Sequence, residues 1–287
     1  MGPLTRHLAP HHEPVLIPAS FEGEPADWTC LPPGLCGEFS GLGLQFLRTR
    51  GKLADTQFEP QAVYDHLARL ERAAHAADVP VYRVTAGSLR DDALDPTRHH
   101  ANLPLFVAHP DGTRRMVRRQ CTRSYKVAPL RRKIRELWTQ AGRPTMPVQQ
   151  WLGISREETH RVRTSDVAYI QLHYPLVERG LTRADCQQWL QTHGWPNVPA
   201  SACVACPFHS DDRWRQLRNR SPEEWADAVA FDRAIRAGHP HLGSPPLDGE
   251  AFVHRSLVPL DQVDLDGPPD RAVIDGFGNE CEGMCAT

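Results

Sequence analysis

The chain has 287 residues, 40% apolar and 24% charged, enough for one large domain or two modest ones with a real core. Thirty-three Lys and Arg stand against thirty-five Asp and Glu, so a formal charge of −2 points to no particular partner. No apolar run approaches the roughly 18–20 residues of a membrane span. The first ten residues have no secretory apolar core, which predicts a soluble, cytoplasmic protein without membrane contact.

Residues 1–38 are rich in proline and poor in periodicity, and read as an irregular segment. After Pro60, the residues Val63, Leu67, Leu70 and Ala74 recur at helical spacing up to Asp78, and Val79 to Val84 reads as a buried strand. Leu130, Ile134, Leu137 and Trp138 predict a second helix, and Val148 to Ile154 a second strand. Thr182 to His193 predicts a third helix, with Cys186, Trp189 and Leu190 on one side and Gly194 and Pro196 stopping it. Ser221-Pro222-Glu223-Glu224 has the pattern of a capping box. It opens a helix carrying Trp225, Val229, Asp232 and Ile235, closed by Gly238. Strands alternating with helices predict an α/β domain with a mostly parallel sheet over 39–200. Residues 201–287 are expected to form a cysteine-bearing helical and irregular region.

The eight cysteines are Cys30, Cys36, Cys121, Cys186, Cys203, Cys206, Cys281 and Cys285. In a chain kept in a reducing compartment, such spacing more often means metal or reactive thiols than disulfides. Cys203 and Cys206 form a C-x-x-C followed by Pro207, a geometry that zinc and iron–sulfur sites both use. Two unligated core cysteines are the plainer alternative. A four-coordinate site needs further ligands. Cys121 is the best third candidate because it lies in a basic, polar stretch, and Cys281 and Cys285 come next. Cys186 sits on an apolar helix face, and nothing assigns a role to Cys30 or Cys36.

From Arg114 to Arg135, ten of twenty-two residues are Lys or Arg and none is acidic. Such a run is ordinarily a solvated face, but without accompanying acids it attracts anions, phosphates above all. Arg118, Arg119, Arg123 and Lys126 flank Cys121 most closely, and their field favours a thiolate there. Gly41-Leu42-Gly43-Leu44-Gln45 permits close backbone approach to an anion. Gly153 and Ser155 follow a predicted strand, where α/β sheets bind ligands and where ordinary strand-to-helix loops also occur.

Together these segments resemble the phosphoadenosine phosphosulfate reductase-like branch of the PP-loop (adenine nucleotide alpha-hydrolase-like) superfamily. The matching pieces are 41–45, Ala54 to Pro60, Gln120 to Lys126, Gly153 to Ser155, Cys203 to His209 and Asn279 to Cys285, in the family's order. The resemblance implies a Rossmann-like, mostly parallel sheet with helices on both faces, binding ATP or another adenine nucleotide. It implies an iron–sulfur cluster, of 4Fe-4S type, on the C-terminal cysteines, and sulfur transfer or reduction with a nucleic-acid or sulfur-carrier substrate. Gly41, Gly43 and Gln45 would line the phosphate loop, Asp55 would end the next strand as a catalytic candidate, and Cys121 would be the other.

One position departs from the pattern. Phe46 stands where the family's loop continues into Ser and opens a helix. Only eight residues, Phe46 to Leu53, follow before Ala54, too few for a helical crossover of at least about 10–12 residues. The loop is therefore expected to be rebuilt or damaged. A second reading is a zinc-stapled nucleic-acid-binding module, closed by Cys203, Cys206, Cys281 and Cys285, with residues 114–135 along a phosphate backbone.

Overall fold

The computed structural model describes residues 45–47, 50–77, 79–97, 103–142, 145–237 and 249–267. Residues 1–38, expected to be irregular, lie outside them, as do Gly41, Gly43, Gly238, Cys281 and Cys285. The described chain is mixed α/β. Its larger sheet contains β1 (Gln45–Leu47), β2 (Arg50–Asp55), β3 (Val81–Thr85), β6 (Val148–Trp151) and β7 (Ile170–His173), in the order β3-β2-β1-β6-β7. β2 and β3 are parallel, as are β6 and β7, while β1 runs antiparallel to both β2 and β6.

The short span after the Gly segment is thus bridged by a hairpin, not by a helix. Gln45 lies in β1 opposite Lys52, and only residues 48–49 separate β1 from β2. This places Gln45 in a sheet strand, where the resemblance expects a phosphate loop.

α1 (Gln61–Ala76) buries Val63, Leu67, Leu70 and Ala74, the four residues whose spacing predicts it. It clusters with Leu53 of β2, and its Glu71 pairs with Arg83, the register partner of Leu53. α3 (Ala128–Gln140) packs on the other face of these strands. There its Lys133 ammonium lies 4.7 Å from the ring centroid of Tyr82, the partner of Lys52. Alternation along the strands therefore puts the two helices on opposite faces. β3 is less buried than its apolar sequence predicts, because it is a sheet edge and presents Arg83 and Thr85 outward.

The expected strand Val148 to Ile154 stops at Trp151, and residues 152–155 lead into a helical turn, Arg156–Arg161. α5 (Arg183–Thr192) follows α4 (Pro175–Glu178) and buries Cys186 and Leu190, as the periodicity predicts. α6 (Asp211–Arg220) and α7 (Pro222–Ala234) share Ser221 as a joint. The expected capping box is not formed: the Ser221 N–H donates to Leu217 to close α6, and its side chain makes no cap bond. The Glu224 carboxylate instead accepts the Gln61 N–H at 2.6 Å.

A second sheet, β4 (Phe106–Ala108), β5 (Arg114–Met116) and β8 (Glu250–Phe252), is antiparallel in the order β5-β4-β8. Gly249 enters β8 at φ +144°, and a Cβ there would meet the Ala108 carbonyl oxygen at 2.4 Å, so the approach of β8 to β4 requires glycine. The largest apolar core joins Phe58, Leu89 of α2 (Leu89–Leu94), Leu105, Tyr125, Trp214, Phe231 and Val253. Fully buried Phe231 packs on Phe58 at 5.3 Å between centroids and contributes about 1.5–3 kcal/mol of transfer free energy.

Between β2 and α1, exposed Gln57 adopts φ +56°, a left-handed conformation that costs a non-glycine residue about 1–2 kcal/mol. Glycine relieves that cost and returns part of it as unfolded-state entropy. Gln57→Gly is expected to stabilise the protein by about 0.5–1 kcal/mol, read as a higher denaturant midpoint. A lower midpoint contradicts this account of the turn.

Candidate metal centre

In the larger sheet β2, β3, β6 and β7 run in one direction, and β2 and β3 end together at Asp55 and Thr85. The turn after β2 meets the C-x-x-C loop there. The Val204 N–H donates to the Phe58 carbonyl at 2.7 Å, and the Ser201 hydroxyl donates to Glu59 Oε2 at 3.0 Å. Thr56 Oγ1 stands 3.5 Å from Cys203 Sγ. The C-x-x-C itself is a tight turn, closed by the Cys206 N–H on the Cys203 carbonyl at 3.0 Å.

His209 completes this loop. Its N–H donates to the Cys206 carbonyl at 3.1 Å, and its ring lies edge-on to Trp214 at 4.7 Å. Burial, aided by the charge of Arg213, pushes its pKa down to about 3, so the imidazole is neutral near pH 7.

Cys121 arrives from a different direction. It opens a π-helical turn, Thr122–Val127, in which the Ala128 N–H reaches back to the Arg123 carbonyl, five residues earlier. The turn buries Thr122, Tyr125 and Lys126 on one side. The Tyr125 hydroxyl donates to Asp92 at 2.7 Å, and the Lys126 ammonium donates to Glu59 at 3.2 Å. Arg118 and Arg123 are exposed, while half-buried Arg119 lies 5.5 Å from the centroid of Phe208.

These pieces enclose a cavity of about 30 Å³. Cys121, Cys203 and Cys206 line it together with Thr56, Thr122 and Lys126. Arg119 and apolar side chains such as Phe58, Leu89 and Phe208 complete the wall. Burial first, then the Glu59 carboxylate, pushes the Cys203 thiol well above its ordinary range, and Lys126 pulls it back. A metal would have to displace that proton, as thiolate ligation always requires. Among the described residues, no three His, Cys, Asp or Glu side chains form a ready-made ligand cluster. The three thiols share a cavity wall, and a fourth ligand would have to come from elsewhere, with Cys281 and Cys285 the candidates the sequence offers.

The other expected site residues are placed apart from the thiols or occupied by the fold. Asp55 ends β2, and its carboxylate accepts the Gln57 N–H at 2.7 Å and the Tyr64 hydroxyl at 3.0 Å. Burial, with Asp55 next, pushes the Tyr64 phenol above its ordinary range. Ser155 caps the 156–161 turn in a reciprocal pair with Glu158, and Gly153 sits in the loop before it. Thr56, Glu59, Thr122, Ser201 and His209 were not singled out from the sequence. Thr56, Glu59, Thr122 and His209 fall within the segments that carry the resemblance, but nothing in their spacing showed what they would touch.

No helix among the described residues is long and apolar enough to cross a membrane. No family model matches the chain, and neither a curated protein nor a solved structure matches it.

Proposed function

We propose that the chain holds a thiolate-bound iron–sulfur cluster serving adenine-nucleotide-dependent sulfur transfer or reduction, on a Rossmann-like α/β scaffold. One observation carries this reading: Cys121, more than eighty residues before the C-x-x-C pair, lines the same cavity as Cys203 and Cys206. The cavity also lies just past the C-terminal end of β2, the side of a strand on which α/β sheets place their ligands. Cys121, Cys203 and Cys206 would hold the metal, with Cys281 and Cys285 as further ligands. When bound, the cluster supplies electrons or sulfur to the substrate. Arg119 adds positive charge to the cavity wall, and Lys126 offsets part of the effect of Glu59 on the Cys203 thiol. Exposed Arg118 and Arg123 would take the phosphates of the nucleotide. The β1–β2 hairpin offers no helix N-terminus to a departing pyrophosphate, so ATP or a related nucleotide enters this reading as a bound ligand. A nucleic acid or a sulfur carrier is the proposed acceptor.

The cavity volume favours a second reading. About 30 Å³ accommodates one ion or two water-sized groups, which suits a single zinc ion in a nucleic-acid-binding protein. Anaerobic purification separates the two: broad visible absorbance with iron and sulfide supports the cluster, and colourless protein with zinc supports the alternative.

The phosphate assignment has its own test. Arg118→Glu combined with Arg123→Glu is expected to weaken binding of an adenine nucleotide roughly tenfold, about 1.4 kcal/mol. Reversal of Arg72 and Arg220, which are also exposed, is expected to change it little. Calorimetry at two salt concentrations reads both, and equal losses would mean that the basic run is only a solvated face.

A further inference from the structure

We propose that the Thr122 hydroxyl is an outer hydrogen-bond donor to a metal-bound cysteine sulfur, making Thr122 a positioning residue for the centre; this rests on the metal reading above. Thr122 is only 6% exposed, and its Oγ1 is buried without a hydrogen-bond partner. The other buried polar side chains of the same π-helical turn are satisfied, Tyr125 by Asp92 and Lys126 by Glu59. A buried hydroxyl left unbonded is disfavoured and rare, and it marks a place where an acceptor belongs.

Thr122 borders the cavity, and the same wall carries three cysteine sulfurs as candidate acceptors. Thr56 Oγ1 already stands within reach of Glu59 and Cys203, and most of the remaining wall is apolar or cationic. A neutral thiol is a weak acceptor, whereas a metal-bound thiolate is a strong one. The hydroxyl therefore gains its partner when metal displaces the thiol protons. Hydrogen bonds to ligating sulfur tune both affinity and electronic properties of such centres.

Thr122→Val keeps the shape and removes the donor, and Thr122→Ser keeps the donor. The test uses the full chain and cobalt(II) alone, read by chelator competition and by the thiolate-to-cobalt charge-transfer band. Thr122→Val is expected to bind cobalt about tenfold more weakly with a shifted band, and Thr122→Ser to restore both. The same Thr122→Val change is expected to raise the metal-free thermal midpoint by about 2–4 °C, because an unsatisfied hydroxyl is gone. Opposite signs in the two measurements separate a donor to sulfur from a packing residue. Equal cobalt affinity and an unshifted band in wild type and Thr122→Val overturn this inference and leave the metal reading standing; a hydroxyl satisfied by trapped water gives that result. Wild-type protein that takes up no cobalt overturns this inference, and the metal reading falls with it if anaerobic reconstitution also loads no iron and sulfide.

Discussion

Asp232→Ala is expected to cost about 3–5 kcal/mol of stability. Asp232 is 1% exposed on α7, and its two oxygens hold three groups from different parts of the chain. Oδ1 accepts the Val253 N–H at 2.9 Å, and Oδ2 accepts the Leu260 N–H at 3.1 Å. The guanidinium of Arg236 also donates to Oδ2. That guanidinium lies 3.5 Å from the centroid of the Phe252 ring and donates to the Ala251 carbonyl at 2.9 Å. Alanine would strand two backbone N–H groups and leave the arginine without its carboxylate. Denaturant unfolding is the measurement, and a thermal midpoint lower by roughly 10 °C is the companion result. A loss below about 1 kcal/mol would mean that water replaces the carboxylate and that the 253–260 segment is not anchored by it. Because Val253 and Leu260 share a core with Val204 and Ala205, the damage should extend to the cysteine loop.

Cys203→Ser and Cys206→Ser are each expected to abolish stable metal binding, and Cys121→Ser to weaken it. A hydroxyl stays protonated where a thiol gives up its proton to the metal, so the ligand is lost although the shape is nearly kept. The effect should exceed the about 10- to 100-fold cost of removing an outer partner. Cys186→Ser is the matched control within the described chain, because Cys186 is buried on α5 away from the cavity wall. Dialysis against a mild chelator followed by metal analysis reads all four variants. Metal loss in Cys186→Ser equal to that in Cys203→Ser would point to general misfolding instead of ligation.

What the sequence revealed follows the range of the forces involved. α1 was legible because Val63, Leu67, Leu70 and Ala74 repeat on one face, and local periodicity is sufficient to place them. α6 was missed because only Trp214 and Leu217 are buried in a strongly charged segment, leaving no stripe to detect. Ser221 carried a capping pattern, yet as the single residue between α6 and α7 it has φ −137° and ψ 69°, and its side chain makes no cap bond. β4, β5 and β8 have three residues each, and β4 and β8 pair across more than 130 residues, so no local pattern records them.

The site divides in the same way. Cys121 stood out for its basic surroundings, and its joining Cys203 and Cys206 at one cavity is the feature the sequence approached most closely. The Glu59–Lys126 pair was not legible, since Lys126 looked like one more cation in an acid-free run until the fold brought a carboxylate from 67 residues away. Thr122 gave no signal at all, because an unsatisfied hydroxyl exists only after burial.

The central claim is that Cys203 and Cys206 hold a metal together with Cys121. Metal content measured on wild type and on the Cys203→Ser/Cys206→Ser double variant, purified side by side without oxygen, tests it most directly. Stoichiometric metal in wild type and none in a double variant that keeps its circular dichroism is the expected result. Metal retained in full by the double variant, or absent from both proteins, would contradict it.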